Sequence, residues 1–574
     1  MSGNKAQGDQ WSSKLGLIFA VAGSAVGLGN FLRFPGLAAQ YGGGSFMIAY
    51  VIMLLLEGVP VGWAEWSLGR RGGRLGSNTG PGIFWYLTKG SKWWKLLGVI
   101  TVLGPSAVAF YYMLVEAWCF DYFWKMLTSP DVFKTNQQAT STFLNFVGFG
   151  EDGGAFTQGQ GLVWTLVFVI VLNLGIIYRG ISKGIELFAR WFMPILLVIS
   201  VVLTIKVLCL GTPDPAFPDR SIEQGLGYMW NPNKVVLEEK QDDQSWKTIS
   251  MLPANDATAL QLTQMEVSLM PESLRIREIT IWDGLKNIEM WLAAAGQVFL
   301  SLSVGTGLIL TYASYIRKKE DIALSSISAA ASNEVCEVGI AGMMTVPTAV
   351  AFLGVAGAAG QGTFALGFMV LPQAFVKMEG GFIFGSLFFL LLSLAAVTSS
   401  ISMMQVGLAF IEEFMGLGRK MAVMVQGFVN CFGCLLVAWF SKGLLALDTY
   451  DFFIGTLCFY VSATLVIILF SWKLGIDSGI KDLENGSVIK IPKIYRFIMQ
   501  YVTPSVLIGI LFVWMGENIW GNPATALQSL MKGEQGAIFP LVFIIVYGLF
   551  LVFVTMSSSR HRVYRSKKKT YVKG

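Results

Sequence analysis

Two stretches of this chain combine flexible backbone with oxygen-bearing residues inside otherwise apolar sequence: GSAVGLGN at 23–30 and SVGTG at 303–307. Glycine disfavours helix by about 1 kcal/mol relative to alanine. An unpaired N–H or C=O in hydrocarbon costs several kcal/mol. A helix break at such depth persists where a bound solute replaces the lost partners, because freed carbonyls take cations and amides at the start of a half-helix take an anion. Gly23 and Gly27 also spell GxxxG, a helix-packing pattern. The echo between AVGLG at 25–29 and SVGTG at 303–307, at corresponding places in two halves, points instead to a paired binding site. Polar residues at helical spacing accompany the breaks. Asn30 follows the first; Gln297 and Ser301 stand one turn apart before the second; Asn333 and Glu337 share a helix face. Ala395, Thr398 and Ser399 have i, i+3, i+4 spacing, and Val108, Tyr112 and Glu116 form one stripe. Mostly neutral oxygens suit a hard, weakly held cation such as Na⁺ better than a transition metal. Glu337 is an ionisable group at a depth where function is the default reading.

The elements that must position these residues are membrane helices. The chain has 574 residues, 54% hydrophobic and 14% charged, with mean hydropathy +0.59, whereas soluble domains carry roughly a quarter charged residues. Runs able to span a ~30 Å hydrocarbon core recur from end to end. The expectation is an all-α polytopic membrane protein with spans near 13–38, 44–68, 97–124, 161–178, 187–209, 289–315, 323–348, 382–412, 421–440, 447–472, 495–515 and 537–556. The start, MSGNKAQGDQWSSK, does not read as a cleavable signal. The basic segments GRRGGR (69–74), KWWK (92–95), RGISK (179–183), RKK (317–319) and RHRVYRSKKK (560–569) place both termini in the cytoplasm of a plasma (inner) membrane. Residues 211–285 form an external segment with the acidic run EEKQDDQ at 238–244, and its later part reads as short helices or a hairpin. Cys431 and Cys434 form a CxxC on an apolar helix with no second pair and read as small buried hydrophobes. His561, the single histidine, lies in the basic tail, so histidine proton relays and His-ligated metals are excluded. No nucleophile elbow or phosphate loop is visible, so neither an enzyme nor a nucleic-acid partner is expected; the lipid bilayer is.

The segments WSSKLGLIFAVAGSAVGLGNFLRFP, GGGSFMIAY, GWAEWSLGR, RGISKGIELFARWFMP, GQVFLSLSVGTG, YASYIRK, AVTSSISMMQ and IPKIYRFIMQYVTP resemble the neurotransmitter:sodium symporters, especially bacterial amino-acid transporters of the leucine-transporter (LeuT) type. The resemblance implies twelve helices in a five-plus-five inverted repeat, with the first and sixth unwound mid-membrane. It divides the chain into a cytoplasmic segment (1–12), a first repeat (13–209), an extracellular loop with the acidic insert (210–288), a second repeat (289–472), two further spans (473–557) and a basic tail (558–574). It implies two sodium sites. One would use Ala25, Asn30, Ser301 and Asn333 with the substrate carboxylate; the other Gly23, Val26, Ala395, Thr398 and Ser399. The substrate carboxylate would meet the Leu28 and Gly29 amides and Tyr112, and its ammonium the carbonyls near Ala25, Leu300 and Ser301 and the Ser303 hydroxyl. Amine-transporting relatives carry Asp where Gly27 stands, so the substrate is expected to be an amino acid.

By the same resemblance the side-chain pocket would be Val108, Tyr112, Leu300, Thr306, Ser399 and Met403. Leu300 and Thr306 replace phenylalanines of the closest type, which implies a roomier pocket and a larger hydrophobic or aromatic amino acid. Arg33 and Asp451 match an external gate pair. Trp11, Tyr315 and Glu413 match the internal gate, whose usual basic partner is replaced by Gly8, with Lys5 a candidate substitute. Gly184 and Pro194 match a fifth-span motif proposed to unwind, or else mark a helix start and an ordinary membrane proline. Chloride-dependent relatives hold Cl⁻ near Tyr50 and Gln297 and have a small hydroxyl residue where Glu337 stands. A fixed carboxylate there implies chloride-independent transport, and its proton uptake on the empty return step implies proton antiport. A non-transporting amino-acid sensor and a substrate-gated ion leak are the alternatives on the same fold.

Overall fold

In hydrocarbon an apolar run satisfies its backbone by coiling into helix. Among the described residues, nine helices are long and apolar enough to cross a membrane, or ten if the bent pair Gly16–Ala25 and Gly29–Gln40 is one span. The computed structural model describes residues 11–148, 153–157, 161–217, 220–240, 246–253, 273–316, 320–360, 362–521 and 523–558. Lys5, Gly8, the RKK run and His561 lie outside them. Leu162–Tyr178 and Ile288–Leu302 are shorter apolar helices at the places expected for the fourth span and the start of the sixth.

Both expected breaks are breaks in the backbone. Helix Lys14–Ala25 ends at Val26, whose φ of −75° and ψ of 91° are extended, and the two halves of the bent pair meet at 43°. Helix Ile288–Leu302 ends at Ser303, and the chain passes through left-handed Ser303 (φ 54°), Gly305 (φ 72°) and Gly307 (φ 84°) before helix Leu308–Ser314 begins. A side chain at position 305 or 307 would be strained, which accounts for glycine at both. The frame around the breaks is tight. Helix Ile100–Thr128 packs along Gly381–Phe410, and Gly69 and Gly73 of Val59–Arg74 press directly on backbone carbonyls of Leu310 and Ser314.

Two expectations need correction. The fold is not all-α: Lys234–Lys240 (β1), Trp246–Pro253 (β2) and Leu274–Ile279 (β3) form an antiparallel sheet in the order β2-β1-β3. Alternation in KTISMLP and LRIREI favours strand, with Arg275 ion-paired to Glu238 of β1 at 2.6 Å. Arg70 is not part of a basic loop. Helix Val59–Arg74 runs past it, and its fully buried guanidinium pairs with Asp482 at 3.2 Å and donates to the Glu320 carbonyl at 2.8 Å. A buried cation needs such partners.

The sheet is pinned by Lys234, which is buried. Its Nζ donates to the carbonyls of Tyr228 (3.0 Å) and Asn231 (2.5 Å) at the end of helix Ile222–Trp230 and lies over the Tyr228 ring. Burial pushes its amine down to about 7. From there up to the ordinary lysine range the unfolded loop binds more protons than the folded one, so stability rises with pH through that window. The melting temperature in detergent of the native protein is therefore expected to rise against that of Lys234→Met between about pH 7 and pH 10. A difference independent of pH overturns the assignment.

Candidate ion and substrate site

Ser301, Asn333, Asn30 and Glu337 arrive from three segments and meet. Asn30 sits in the π-helical turn Gly29–Arg33 and Glu337 in Val335–Gly342, a geometry often found at functional sites. The Asn30 side chain accepts from the Gly27 amide (2.9 Å) and donates to Asn333 Oδ1 (2.8 Å) and Glu337 Oε2 (3.2 Å). Asn333 Nδ2 donates to Ser301 Oγ and to Glu337 (3.0 Å), and the Ser301 hydroxyl donates to the same carboxylate. All four are buried, as is Ala25. Glu337, expected only to balance charge, thus touches the side-chain ligands expected for the first sodium. Neutral oxygens beside one carboxylate match the donor chemistry of a hard monovalent cation.

The second expected cation set also converges. The Thr398 hydroxyl donates to the Ala395 carbonyl (2.9 Å), and a Cβ placed on Gly23 would stand 3.5 Å from Thr398 Cβ. Ser399 donates to the Ser24 carbonyl (3.3 Å). Val26, where the helix opens, is fully buried.

Between these clusters lies a cavity of about 370 Å³ lined by Ala25, Leu28, Gly29, Val108, Tyr112, Leu300, Ser303, Thr306, Ser399 and Met403. The Leu28 amide donates to the Tyr112 hydroxyl at 3.2 Å, and a Cβ on Gly27 would stand 2.6 Å from Ser399 Oγ and 3.0 Å from Tyr112 OH. Thr306 turns its hydroxyl back to the Ser303 carbonyl (2.7 Å). Phe364 and Phe459 supply aromatic walls that sequence reasoning missed. Glu116 leaves the stripe it was expected to share with Tyr112 and takes the Asn173 amide at 3.0 Å, while Asn173 takes the Ser400 hydroxyl at 2.7 Å. The most consequential omission is Glu65. Its buried carboxylate accepts from the Gly305 (3.2 Å) and Gly307 (3.0 Å) amides and so holds the second break open.

Residues 8–146 and 274–554 match the family model described as the sodium:neurotransmitter symporter family. The chain belongs to the sodium:neurotransmitter symporter family. It is 27% identical over 547 residues to an uncharacterised sodium-dependent transporter of Methanocaldococcus jannaschii, covering 94% of this chain and 96% of that one. Against the sodium-dependent transporter YhdH of Bacillus subtilis it is 25% identical, over 88% of this chain and 98% of that one. The crystal structure of MhsT in complex with L-phenylalanine superposes with a TM-score of 0.68 at 24% identity, over 88% of this chain and 99% of MhsT, and so shares the fold.

In this member of the family the expected external gate residues both line the central cavity, and they are not ion-paired to each other among the described residues. Arg33 donates to Gln297 (3.1 Å), Gln297 donates to Glu337 (2.6 Å), and Asp451 accepts from Tyr111 (3.2 Å). At the other end Trp11 Nε1 donates to the Tyr312 carbonyl (3.0 Å), and its ring meets the Tyr312 ring edge-on at 5.1 Å. Glu413 accepts from the Ser77 hydroxyl (2.7 Å), the Asn78 amide (3.0 Å) and the Thr79 hydroxyl (2.9 Å), a neutral donor set where a cation was expected; Tyr315 is buried. Glu186 gathers the Ser12 amide (2.7 Å), the Ser13 hydroxyl (3.0 Å) and Arg190 (3.0 Å), tying the first helix to the fifth.

Glu65 is the position to test. Removing an acceptor from two buried amides costs about 1–3 kcal/mol each, so Glu65→Ala is expected to weaken Na⁺-induced thermal stabilisation in detergent, measured against K⁺, by at least roughly tenfold in apparent affinity. Glu65→Gln, which keeps one acceptor oxygen but turns an NH2 group towards the other amide, is expected to lose less than the alanine variant. An unchanged Na⁺ titration of the alanine variant refutes the role.

Proposed function

We propose that this protein is a sodium-coupled secondary-active symporter that imports a neutral amino acid, of the larger hydrophobic or aromatic kind, by alternating access. The observation that carries the reading is the junction of the two breaks. Oxygens suited to Na⁺ stand on either side of a cavity whose polar lining includes backbone groups freed by those breaks. The proposed architecture is twelve spans in a five-plus-five inverted repeat, with the first and sixth interrupted at the site and both termini cytoplasmic.

In the proposed cycle one Na⁺ is taken by Ala25, Asn30, Ser301, Asn333 and the substrate carboxylate, the other by Gly23, Val26, Ala395, Thr398 and Ser399. The substrate carboxylate lies at the Leu28 and Gly29 amides and Tyr112. A cation thereby binds partly through the substrate, which makes the two affinities interdependent. Closure then brings Arg33 and Asp451 together, and the contacts of Trp11, Tyr315 and Glu413 open on the opposite side. Each net charge moved is driven by roughly 2.3 kcal/mol per 100 mV, enough for concentrative uptake. No carboxylate stands at position 27, so nothing there replaces a missing substrate carboxylate. Leu300 and Met403 beside Phe364 and Phe459 favour a bulky apolar side chain. The similarity to a protein crystallised with phenylalanine supports the same substrate class.

In proteoliposomes with an inward Na⁺ gradient, leucine, methionine, phenylalanine or tryptophan is expected to accumulate at least severalfold faster than glycine or alanine. Faster glycine uptake refutes the pocket reading, and binding without flux refutes transport. Replacing chloride by gluconate is expected to leave uptake unchanged, while Glu337→Ser is expected to make it depend on chloride. Proton counter-flow, read by an internal pH dye during uptake, is expected in the native protein and absent in the serine variant. Chloride dependence of the native protein refutes the charge-compensation role.

A further inference from the structure

Near the end of the molecule that carries Trp11 and Glu413, the fourth and fifth membrane helices part. Between Leu162–Tyr178 and Ile181–Leu208 lies a cleft of about 930 Å³, separate from the central cavity. It opens on the outer flank of the bundle, since its wall residues Val171 and Trp191 are 63% and 66% exposed. The wall is aliphatic and aromatic, with the Phe188 and Phe192 rings tilted against each other at 4.2 Å between ring centres. Gly175 leaves room in it, with no atom within 4 Å of where its Cβ would stand.

The cleft also holds two cations. Arg179, just past the end of the fourth helix, and Lys183, in the π-helical turn Ile181–Glu186 that begins the fifth, line it and are both exposed. Neither has a carboxylate within ion-pair distance among the described residues. The neighbouring acid, Glu186, is already engaged by Ser12, Ser13 and Arg190. The two cation-bearing turns lie against each other, because Gly184 abuts the Ile176 carbonyl and Arg179 Cβ.

We propose that this cleft binds an anionic phospholipid, its acyl chains along the Val171–Trp191 wall and its phosphate between Arg179 and Lys183. An apolar cleft open to the membrane suits acyl chains, and basic pockets between membrane helices suit anionic headgroups. A zwitterionic headgroup brings its own cation towards Arg179 and Lys183 and binds less well. The occupant bridges the end of the fourth helix and the first turn of the fifth, and so holds that turn in its wound form.

The test is native mass spectrometry of the purified full-length protein with phosphatidylglycerol and phosphatidylcholine of identical acyl chains. Phosphatidylglycerol is expected to be retained with a preference of roughly tenfold or more. Arg179→Gln with Lys183→Gln removes that preference, and Gly175→Leu, whose Cβ enters open space in the cleft, lowers retention of both lipids. Millimolar inorganic phosphate leaves retention unchanged. Equal retention of the two lipids by the native protein, a preference that survives the double substitution, or displacement by phosphate each overturns the proposal. The native-protein comparison stands even if a variant folds poorly.

Discussion

A peptide group stripped of its helical partner in the interior of this bundle needs another polar partner, and the arrangement of the centre follows from that need. At the second break two amides are met by Glu65, reaching across from helix Val59–Arg74. At the first, the Gly27 amide is met by Asn30 and the Leu28 amide by Tyr112, while the Gly29 carbonyl takes a bond from Gln297 at 3.3 Å. Glu65, Tyr112 and Gln297 each reach a broken backbone from a neighbouring helix and fix that helix in return, while Asn30 folds back onto its own segment. The breaks are therefore the joints at which the surrounding helices are fastened together, rather than loose places within them.

One continuous chain of bonds leaves this junction. Arg33 holds Gln297, Gln297 holds Glu337, and Glu337 holds Ser301, Asn333 and Asn30. A cation settling among Asn30, Ser301 and Asn333 competes with the donors that now hold the carboxylate. Under the proposed cycle, loosening Glu337 would loosen Gln297, and with it the bond that Gln297 accepts from Arg33. Occupancy at the centre and the position of an arginine lining the cavity would then be linked through one set of bonds.

Much of this was legible in the residues, and the exceptions have physical causes. The second break announces itself because few residues tolerate the left-handed backbone of Gly305 and Gly307, the first because glycines are poor helix formers, and Asn333 with Glu337 is found by counting along one helix. Glu65 carries no such mark: its amides lie 240 and 242 residues away, and only tertiary packing brings them together. Glu116 left its expected stripe because each step of four residues rotates a helix by about 40°, enough over two steps to carry it from the cavity to Asn173. A hairpin was one of two readings for the later part of the insert, but the strand Lys234–Lys240 that joins the other two was not foreseen because its charged residues read as an acidic loop. Arg70 was read as a solvated charge because burial is not written in residue type.

Gly27 carries a consequence for how such a site could change its ligand. A side chain there would run into Ser399 and Tyr112, two groups that already serve the site in other capacities. An acid at position 27, the change that would let the protein hold a ligand lacking its own carboxylate, is therefore tied to how two other residues are placed: its Cβ would stand 2.6 Å from the Ser399 hydroxyl and 3.0 Å from the Tyr112 hydroxyl, so both hydroxyls would have to turn aside to admit it.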